Sequence, residues 1–263
     1  MKHRTLLVGN WKMHLNVSQA SLLLHRLQER TRMHRSIEVV LAPPMLDLQP
    51  LSMQIDRRKF RLAAQNAFFH DEGAYTGEVS FTMLRDLVHY VIVGHSERRK
   101  YFHEDLPMVR DKVAAAIRNE MSPILCVGES QHERKEGMTK RVLHDQVTTA
   151  LMNLTAHEVR EVVIAYEPLW AISTFGGEYA KPADVAECMD YIRHQVAGLY
   201  GERVAEDIRV LYGGSVDDDT VRGYLELETC NGVLVGGASL NPYKFAGIIE
   251  AAHRLQHELG NED

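Results

Sequence analysis

The segment EVVIAYEP (161–168) contains the pattern that decides the fold of this chain: a short apolar run that ends in a carboxylate and a proline. The run is continuously apolar, which is typical of a parallel strand buried on both faces. Seven further runs of this kind follow one another along the chain: TLLVGN, EVVLAP, FRLAAQN, YVIVGH, PILCVG, IRVLYGGS and GVLVGG. The sequence therefore predicts eight buried parallel strands.

Amphipathic segments separate most of these runs, among them SQASLLLHRLQER (18–30) and VAECMDYIRHQVAGLY (185–200). Pro182 suits the first position of a helix and Gly201 suits the residue after its last turn. Eight strands that alternate with helices in 263 residues predict an α/β fold, a closed eight-stranded parallel (β/α)8 barrel that forms one domain over 1–263. A doubly wound open sheet is the alternative, and the order of the strands distinguishes the two.

Composition and charge exclude several classes of function. With 45% hydrophobic and 25% charged residues the chain has the composition of a folded globular protein. No apolar run approaches the roughly 18–20 residues that span a bilayer, and the N-terminal segment lacks a signal-peptide pattern, so we expect a cytoplasmic protein without a membrane partner. The net charge of −6 argues against nucleic acid as the main partner and means that an anionic substrate needs locally arranged donors.

Cysteine and histidine spacing predicts no metal site. The three cysteines, Cys126, Cys188 and Cys230, have no CxxC spacing, which argues against a disulfide framework or a zinc site. His253 and His257 share one helix face, but no third ligand is evident, so a solvated helix face is the simpler interpretation.

Candidate catalytic residues follow five of the predicted strands. In a closed parallel barrel the carboxyl ends of the strands carry the chemistry, and phosphate often binds after the seventh and eighth strands. The residues at these ends are Asn10 and Lys12, His95 to Glu97, Glu167, Gly213 to Ser215, and Gly236 with Gly237. Polar groups at one strand end are ordinary, but this set at five ends predicts an active site.

Each candidate has a structural interpretation beside the functional one. Lys12 is either a solvated lysine or an inward cation that neutralises a phosphate and an oxyanion. His95 is either held by backbone groups or donates to a carbonyl oxygen, with a nearby helix start disfavouring the imidazolium. Glu97 is either its partner or a favourable acid in a first helical turn. The glycine pairs are either turns or places where N–H groups approach a phosphate.

Glu167 is costly to bury without a partner. A surface ion pair is one explanation for it. The other is that Leu169, Trp170 and Ile172 exclude water from the carboxylate and raise its pKa towards that of a general base. The second explanation predicts that Glu167 accepts a proton during the reaction.

The chain resembles the triosephosphate isomerase family along nearly its whole length. The motifs that carry the resemblance are GNWKM (9–13), QN (65–66), GAYTGE (73–78), GHSERR (94–99), CVGE (126–129), AYEPLWAI (165–172), YGGSV (212–216) and LVGGASL (234–240). It implies a TIM barrel, a small phosphorylated sugar as substrate, no metal or organic cofactor, and a homodimer whose subunits exchange a loop that contains Thr76.

The resemblance also implies roles for individual residues. Glu167 matches the catalytic base and His95 matches the neutral electrophile. Lys12 and Asn10 match the polar groups around the substrate oxygens, and Glu97 is counted with them as catalytic. The matches to the phosphate cradle are Ser215, Gly236 and Gly237, with the amide of Ser173 as a further donor. The matches to the lid are Pro168, Leu169, Trp170, Ile172, Ser173, Phe175, Gly176 and Gly177.

The lid is where the chain departs from the family pattern. After the catalytic glutamate the pattern is P-x-W-A-I-G-T-G-K-T-A, whereas this chain has PLWAISTFGGEYAKP. Ser173 and Phe175 replace the two lid glycines, and the next proline comes about two residues later, which predicts a longer loop.

Three functions therefore remain open from the sequence. The first is interconversion of dihydroxyacetone phosphate and glyceraldehyde 3-phosphate through an enediolate. The second is the same chemistry on a four-carbon ketose phosphate, such as an erythrulose phosphate, which a longer lid would admit. The third is a catalytically silent barrel that binds sugar phosphates.

Overall fold

A computed structural model describes residues 4–172 and 179–260 of the chain. Within them, eight parallel strands form one closed barrel in sequence order, with β8 hydrogen-bonded to β1. The closed order confirms the predicted barrel and excludes the doubly wound sheet. The strands are β1 (Thr5–Asn10), β2 (Ile37–Ala42), β3 (Phe60–Ala64), β4 (Tyr90–Val93), β5 (Ser122–Val127), β6 (Val163–Tyr166), β7 (Arg209–Tyr212) and β8 (Gly232–Val235).

Helices surround the barrel, and several begin and end where the sequence predicts. Pro182 is the first residue of α9, and Gly201 ends that helix with a φ of 88°. Two 3-10 helices lie at Leu169–Ala171 and Gly237–Leu240. The α-helices are α1 (Val17–Arg30), α2 (Met45–Ser52), α3 (Phe81–Leu84), α4 (Ser96–Tyr101), α5 (Leu106–Arg118), α6 (Gln131–Lys135), α7 (Thr139–Leu151), α8 (Ala156–Val159), α9 (Pro182–Tyr200), α10 (Glu202–Asp207), α11 (Val221–Leu225) and α12 (Pro242–Glu258).

Two apolar cores explain why the strands are apolar throughout. One core fills the barrel, and the other lies between the strands and the helices. In β1, Leu6 and Val8 belong to the inner core while Leu7 belongs to the outer one. Since side chains alternate along a strand, the same alternation directs Asn10 inwards at the carboxyl end of β1.

A polar network occupies the opposite, amino-terminal end of the barrel. Glu38 accepts hydrogen bonds from the hydroxyl of Tyr90 (2.9 Å) and from Nη1 of Arg209 (3.1 Å), and Nη2 of Arg209 donates to the Tyr90 hydroxyl (2.9 Å). These groups satisfy one another, so their burial is not penalised by unmade hydrogen bonds. The catalytic candidates all lie at the other end.

No helix within the described ranges is long and apolar enough to cross a membrane.

Candidate active site

One cavity of about 540 Å³ at the carboxyl ends of the strands contains most of the predicted catalytic and phosphate-binding residues. The predicted residues that line it are Asn10, Lys12, His95, Glu167, Ile172, Gly213, Ser215, Gly236 and Gly237. Because these residues come from five different strand ends, the fold brings together groups that lie up to about two hundred residues apart in sequence. The solvated and surface interpretations of Lys12 and Glu167 are therefore wrong.

Glu167 follows β6 and is 1% exposed. Its Oε2 accepts a hydrogen bond from the backbone N–H of Ser96 at 3.2 Å, and its Oε1 lies 3.1 Å from His95 Nε2. Burial without a partner would be costly, but both carboxylate oxygens have a donor beside them. The carboxylate is therefore held at the edge of the cavity, next to the imidazole.

Two glycines make room for Glu167. A Cβ atom at Gly213 would lie 2.7 Å from Glu167 Cγ, and one at Gly128 would lie 1.9 Å from the Glu167 carbonyl oxygen. Both distances are too short for real atoms, so each position requires glycine. The sequence interpretation assigned Gly213 to a turn or a phosphate contact, whereas here it makes space for the Glu167 side chain.

The pKa of Glu167 differs from the sequence expectation. Burial raises it, but the neighbouring His95, the charge of Arg99 and the donating amide of Ser96 outweigh burial and hold the pKa below its ordinary value. The expectation of a raised pKa is therefore wrong for this state of the site, because it considered water exclusion without the donors that the fold supplies.

This lowered pKa gives a prediction for titration of the unliganded protein. A ¹³C NMR titration with labelled glutamate, assigned by a Glu167→Gln variant, will give a midpoint below 4.5, the ordinary value for the group. The ionised carboxylate then stabilises the fold above the unfolded pKa, and this contribution is lost as the pH falls through the lower folded pKa. A midpoint above 4.5 would contradict the arrangement of donors around Glu167.

His95 precedes α4 and caps its first turn. The backbone N–H of Glu97 donates to His95 Nδ1 at 3.3 Å, so Nδ1 carries a lone pair and the ring proton lies on Nε2. That Nε2–H points into the cavity, towards Glu167. The helix start therefore determines which nitrogen donates, and His95 presents a donor to whatever the cavity binds.

Lys12 follows β1 with a φ of 51°, an unusual backbone conformation for a residue other than glycine. Its N–H donates to Asn10 Oδ1 at 3.0 Å, and Gln65 Nε2 donates to its carbonyl oxygen at 2.8 Å. These contacts hold the strained backbone so that the ammonium enters the cavity. There it lies 2.6 Å from Glu97 Oε1, which makes Glu97 the partner of Lys12.

The predicted phosphate-binding residues line the same cavity as Lys12 and His95. A Cβ atom at Gly236 would lie 3.7 Å from Lys12 Cε, and one at Gly237 would meet open space. The Ser215 N–H donates to the Ala171 carbonyl at 3.0 Å, and the Ser215 hydroxyl has no hydrogen-bond partner among the described residues. Gly236 and Gly237, where the 3-10 helix begins, therefore line the same cavity as Lys12 and Ser215.

The predicted lid entry is fixed by a carboxylate that the sequence interpretation missed. Glu129, which follows β5 and is fully buried, accepts hydrogen bonds from Trp170 Nε1 (2.9 Å) and from the Tyr166 hydroxyl (3.2 Å). Its own carbonyl accepts from the N–H of Leu169 at 3.0 Å. Trp170 thus contacts Glu129, and it is Ile172 that lines the cavity beside Glu167. A carboxylate at a strand end was the signal that identified Glu167, and it applied equally to Glu129.

The remaining lid residues, Ser173, Phe175, Gly176 and Gly177, lie outside the described residues. The described chain resumes at Tyr179, which is about half exposed and lines the cavity. Thr76 is exposed in the segment between β3 and α3.

Comparison with known proteins gives one consistent result. The family model described as triosephosphate isomerase matches residues 5–252. A triosephosphate isomerase from Caldanaerobacter subterraneus subsp. tengcongensis is 44% identical over 247 residues, which cover 94% of this chain and 98% of the relative. Similar proteins of the same name come from Dictyoglomus turgidum, at 39% identity over 94% of this chain and 99% of the relative, and from Chloroherpeton thalassium, at 43% identity over 93% and 97%.

Proposed function

The chain belongs to the triosephosphate isomerase family, and from this premise we propose how its residues interconvert dihydroxyacetone phosphate and glyceraldehyde 3-phosphate. The observation that supports the proposal best is the meeting of Glu167, His95 and Lys12 at one cavity, with Glu167 Oε1 3.1 Å from His95 Nε2. A base, a neutral donor and a cation side by side are what proton abstraction next to a carbonyl requires.

In the proposed mechanism, Glu167 takes the proton from the carbon next to the carbonyl. The electron pair moves onto the carbonyl oxygen to form an enediolate, which the Nε2–H of His95 and the Lys12 ammonium stabilise. The hydroxyl proton on the first carbon is then passed to the other enediolate oxygen by way of His95 Nε2, and protonated Glu167 returns its proton to the neighbouring carbon, so the carbonyl moves by one carbon and no atom is lost. Asn10 fixes the backbone of Lys12 and lies beside the same oxygens. The steps use no metal or organic cofactor.

The phosphate is proposed to bind at Ser215, Gly236 and Gly237. The protein has a net charge of −6, so attraction over long distances is weak and binding depends on local donors. Lys12 is the cation closest to Gly236, and hydrogen bonds to a phosphate from backbone N–H groups and from an ammonium are charge-assisted.

The lid assignment is retained as a proposal. Pro168 to Trp170 form the entry, with Ile172 beside Glu167 in the cavity. Ser173, Phe175, Gly176 and Gly177 are proposed to continue it and to keep water from the enediolate, which otherwise loses phosphate.

The chain is further proposed to act as a homodimer in which Thr76 of the partner subunit enters a second cavity of about 510 Å³. Met13 and Phe102 line that cavity and are 95% and 62% exposed in one chain, while Lys12 and His95 line both this cavity and the active-site cavity. Exposed apolar side chains around a cavity favour a protein partner.

Sedimentation equilibrium tests this oligomeric state. The wild type is expected at twice the chain mass of 29.9 kDa, and a Thr76→Glu variant at the mass of one chain, because a carboxylate would enter the cavity beside Glu97. A wild-type mass of one chain at micromolar concentration would contradict the homodimer.

Side-by-side turnover of triose and four-carbon ketose phosphates tests the proposed substrate. The relatives share the name triosephosphate isomerase, so the expected result is a higher kcat/KM on the triose phosphates. An equal or higher kcat/KM on the four-carbon substrate would move the assignment to that class. The absence of turnover and of proton exchange with both substrates would instead favour a silent binding protein.

A further inference from the structure

Three tyrosines connect the loop after β7 with the segment that leads into α9. Tyr212 is the last residue of β7, Tyr224 lies on α11, and Tyr179 lies three residues before α9. The rings of Tyr212 and Tyr224 are stacked, with centroids 4.0 Å apart and an interplanar angle of 20°, and the ring of Tyr179 lies 6.1 Å from that of Tyr224. Tyr212 and Tyr224 are both fully buried.

The Tyr224 hydroxyl forms a hydrogen bond with the backbone just before α9. It donates to the Ala180 carbonyl at 2.7 Å, and Ala180 is itself fully buried. Burial raises the pKa of Tyr224 and of Tyr212, the latter to about 12, so both phenols remain protonated and Tyr224 remains a donor at neutral pH.

On its other side, the stack contacts the segment that follows β7, which contains Gly214 and Ser215. The Tyr212 hydroxyl lies against Gly214, where a Cβ atom would come within 2.1 Å of it. The next residue, Ser215, donates its N–H to Ala171 at 3.0 Å. The chain is therefore held at two points, at Ala171 by the N–H of Ser215 and at Ala180 by the hydroxyl of Tyr224, whose ring stacks on Tyr212.

We propose that Tyr224 is a positioning residue for the isomerase, which fixes the Ala180 carbonyl and thereby holds Tyr179 at the mouth of the catalytic cavity. This inference rests on the function proposed above. Tyr179 lines the cavity together with Glu167, Ile172 and Ser215. Without the hydroxyl of Tyr224 the buried Ala180 carbonyl lacks this partner, and the segment that carries Tyr179 becomes less ordered. Ordering it again when a phosphate ligand binds costs binding free energy.

A Tyr224→Phe variant tests the proposal, because it removes the hydroxyl and keeps the ring on Tyr212. The expected result is a rise of about tenfold in KM for dihydroxyacetone phosphate and in the inhibition constant of inorganic phosphate, with kcat within about twofold of wild type. Tyr200→Phe is the matched control, since the Tyr200 hydroxyl also donates to a backbone carbonyl, that of Leu151, at 2.6 Å and far from the cavity. It is expected to leave both constants unchanged.

A double variant examines whether Tyr224 acts through Tyr179. Tyr179→Ala is expected to raise KM by itself, and adding Tyr224→Phe to it is expected to raise KM no further, because the group to be positioned is gone. A double variant in which the two substitutions raise KM independently, so that their effects multiply, would overturn the proposal. A Tyr224→Phe enzyme with the KM of wild type would also overturn it, as would a Tyr200→Phe enzyme that is equally impaired. A wild type inactive on triose phosphates would instead overturn the proposed function itself.

Discussion

Replacing Glu167 with glutamine will lower kcat by about 10⁴-fold, because the amide keeps the shape of the side chain and cannot accept a proton. The amide oxygen can still accept from the Ser96 N–H, which donates to the carboxylate at 3.2 Å. The fold around the site therefore remains, and the loss falls on the chemical step. Steady-state kinetics in both directions of the isomerisation measures the effect.

Two companion measurements distinguish a lost base from a damaged fold. Glu167→Asp keeps a carboxylate but withdraws it by one methylene, roughly 1 Å, and is expected to lose about 10²-fold in kcat. Thermal unfolding of both variants is expected to remain cooperative. A glutamine variant with the kcat of wild type would show that Glu167 is not the base.

Replacing Lys12 with methionine will lower kcat/KM by about 10³-fold or more, since one cation serves both the enediolate oxygen and the phosphate. The change also removes the ion pair between the ammonium and Glu97, whose Oε1 lies 2.6 Å from Nζ. A dianionic substrate would then lack the Lys12 cation that lines the cavity, so we expect both kcat and the affinity for phosphate to fall.

Lys140→Met is the matched control for this variant. Lys140 also forms an ion pair with a glutamate, Glu187 at 3.1 Å, but both side chains are largely exposed and lie outside the cavity. Exposed pairs contribute little, so this variant is expected to retain wild-type kinetics. A Lys12→Met enzyme as active as the Lys140→Met enzyme would contradict the role of the ammonium.

The barrel and the side chains that meet in the cavity were predictable from the sequence because both follow from short-range patterns. Continuous apolar runs indicated strands buried on both faces, and the inner and outer cores account for that pattern. Alternation along β1 and β6 directs Asn10 and Glu167 to the inside. In a closed parallel barrel the residues after each strand meet at one end, so their proximity could be predicted from the strand pattern alone.

Contacts between distant loops were not predictable in the same way. Gln65, which donates to the carbonyls of Lys12 and Ala42 at 2.8 Å each, belongs to a segment that only the fold brings to β1. The direction of the Glu167 pKa shift has the same origin, because the donors at Ser96 and His95 come from another strand end. The burial of Glu167, which raises its pKa, was foreseeable from the sequence, but the neighbouring groups that lower the pKa further than burial raises it were not.

The hydrogen bond between Tyr224 and Ala180 is a feature of the loop after Glu167 that the sequence did not predict. The sequence indicated only that the loop after Glu167 departs from the family pattern and is longer. The structure adds that the end of this loop is tied to α11 by a tyrosine hydroxyl at 2.7 Å. Nothing in local sequence links residue 180 to residue 224, since this contact depends on β6 and β7 being neighbours in the barrel.

The most direct test of the account is proton exchange at the substrate carbon in D₂O, followed by ¹H NMR with dihydroxyacetone phosphate and the wild type or the Glu167→Gln variant. The account predicts that the wild type introduces deuterium at the carbon that receives the proton, and that the variant does so at least about 10³-fold more slowly. Exchange by the variant at the wild-type rate would contradict the claim that Glu167 moves the proton.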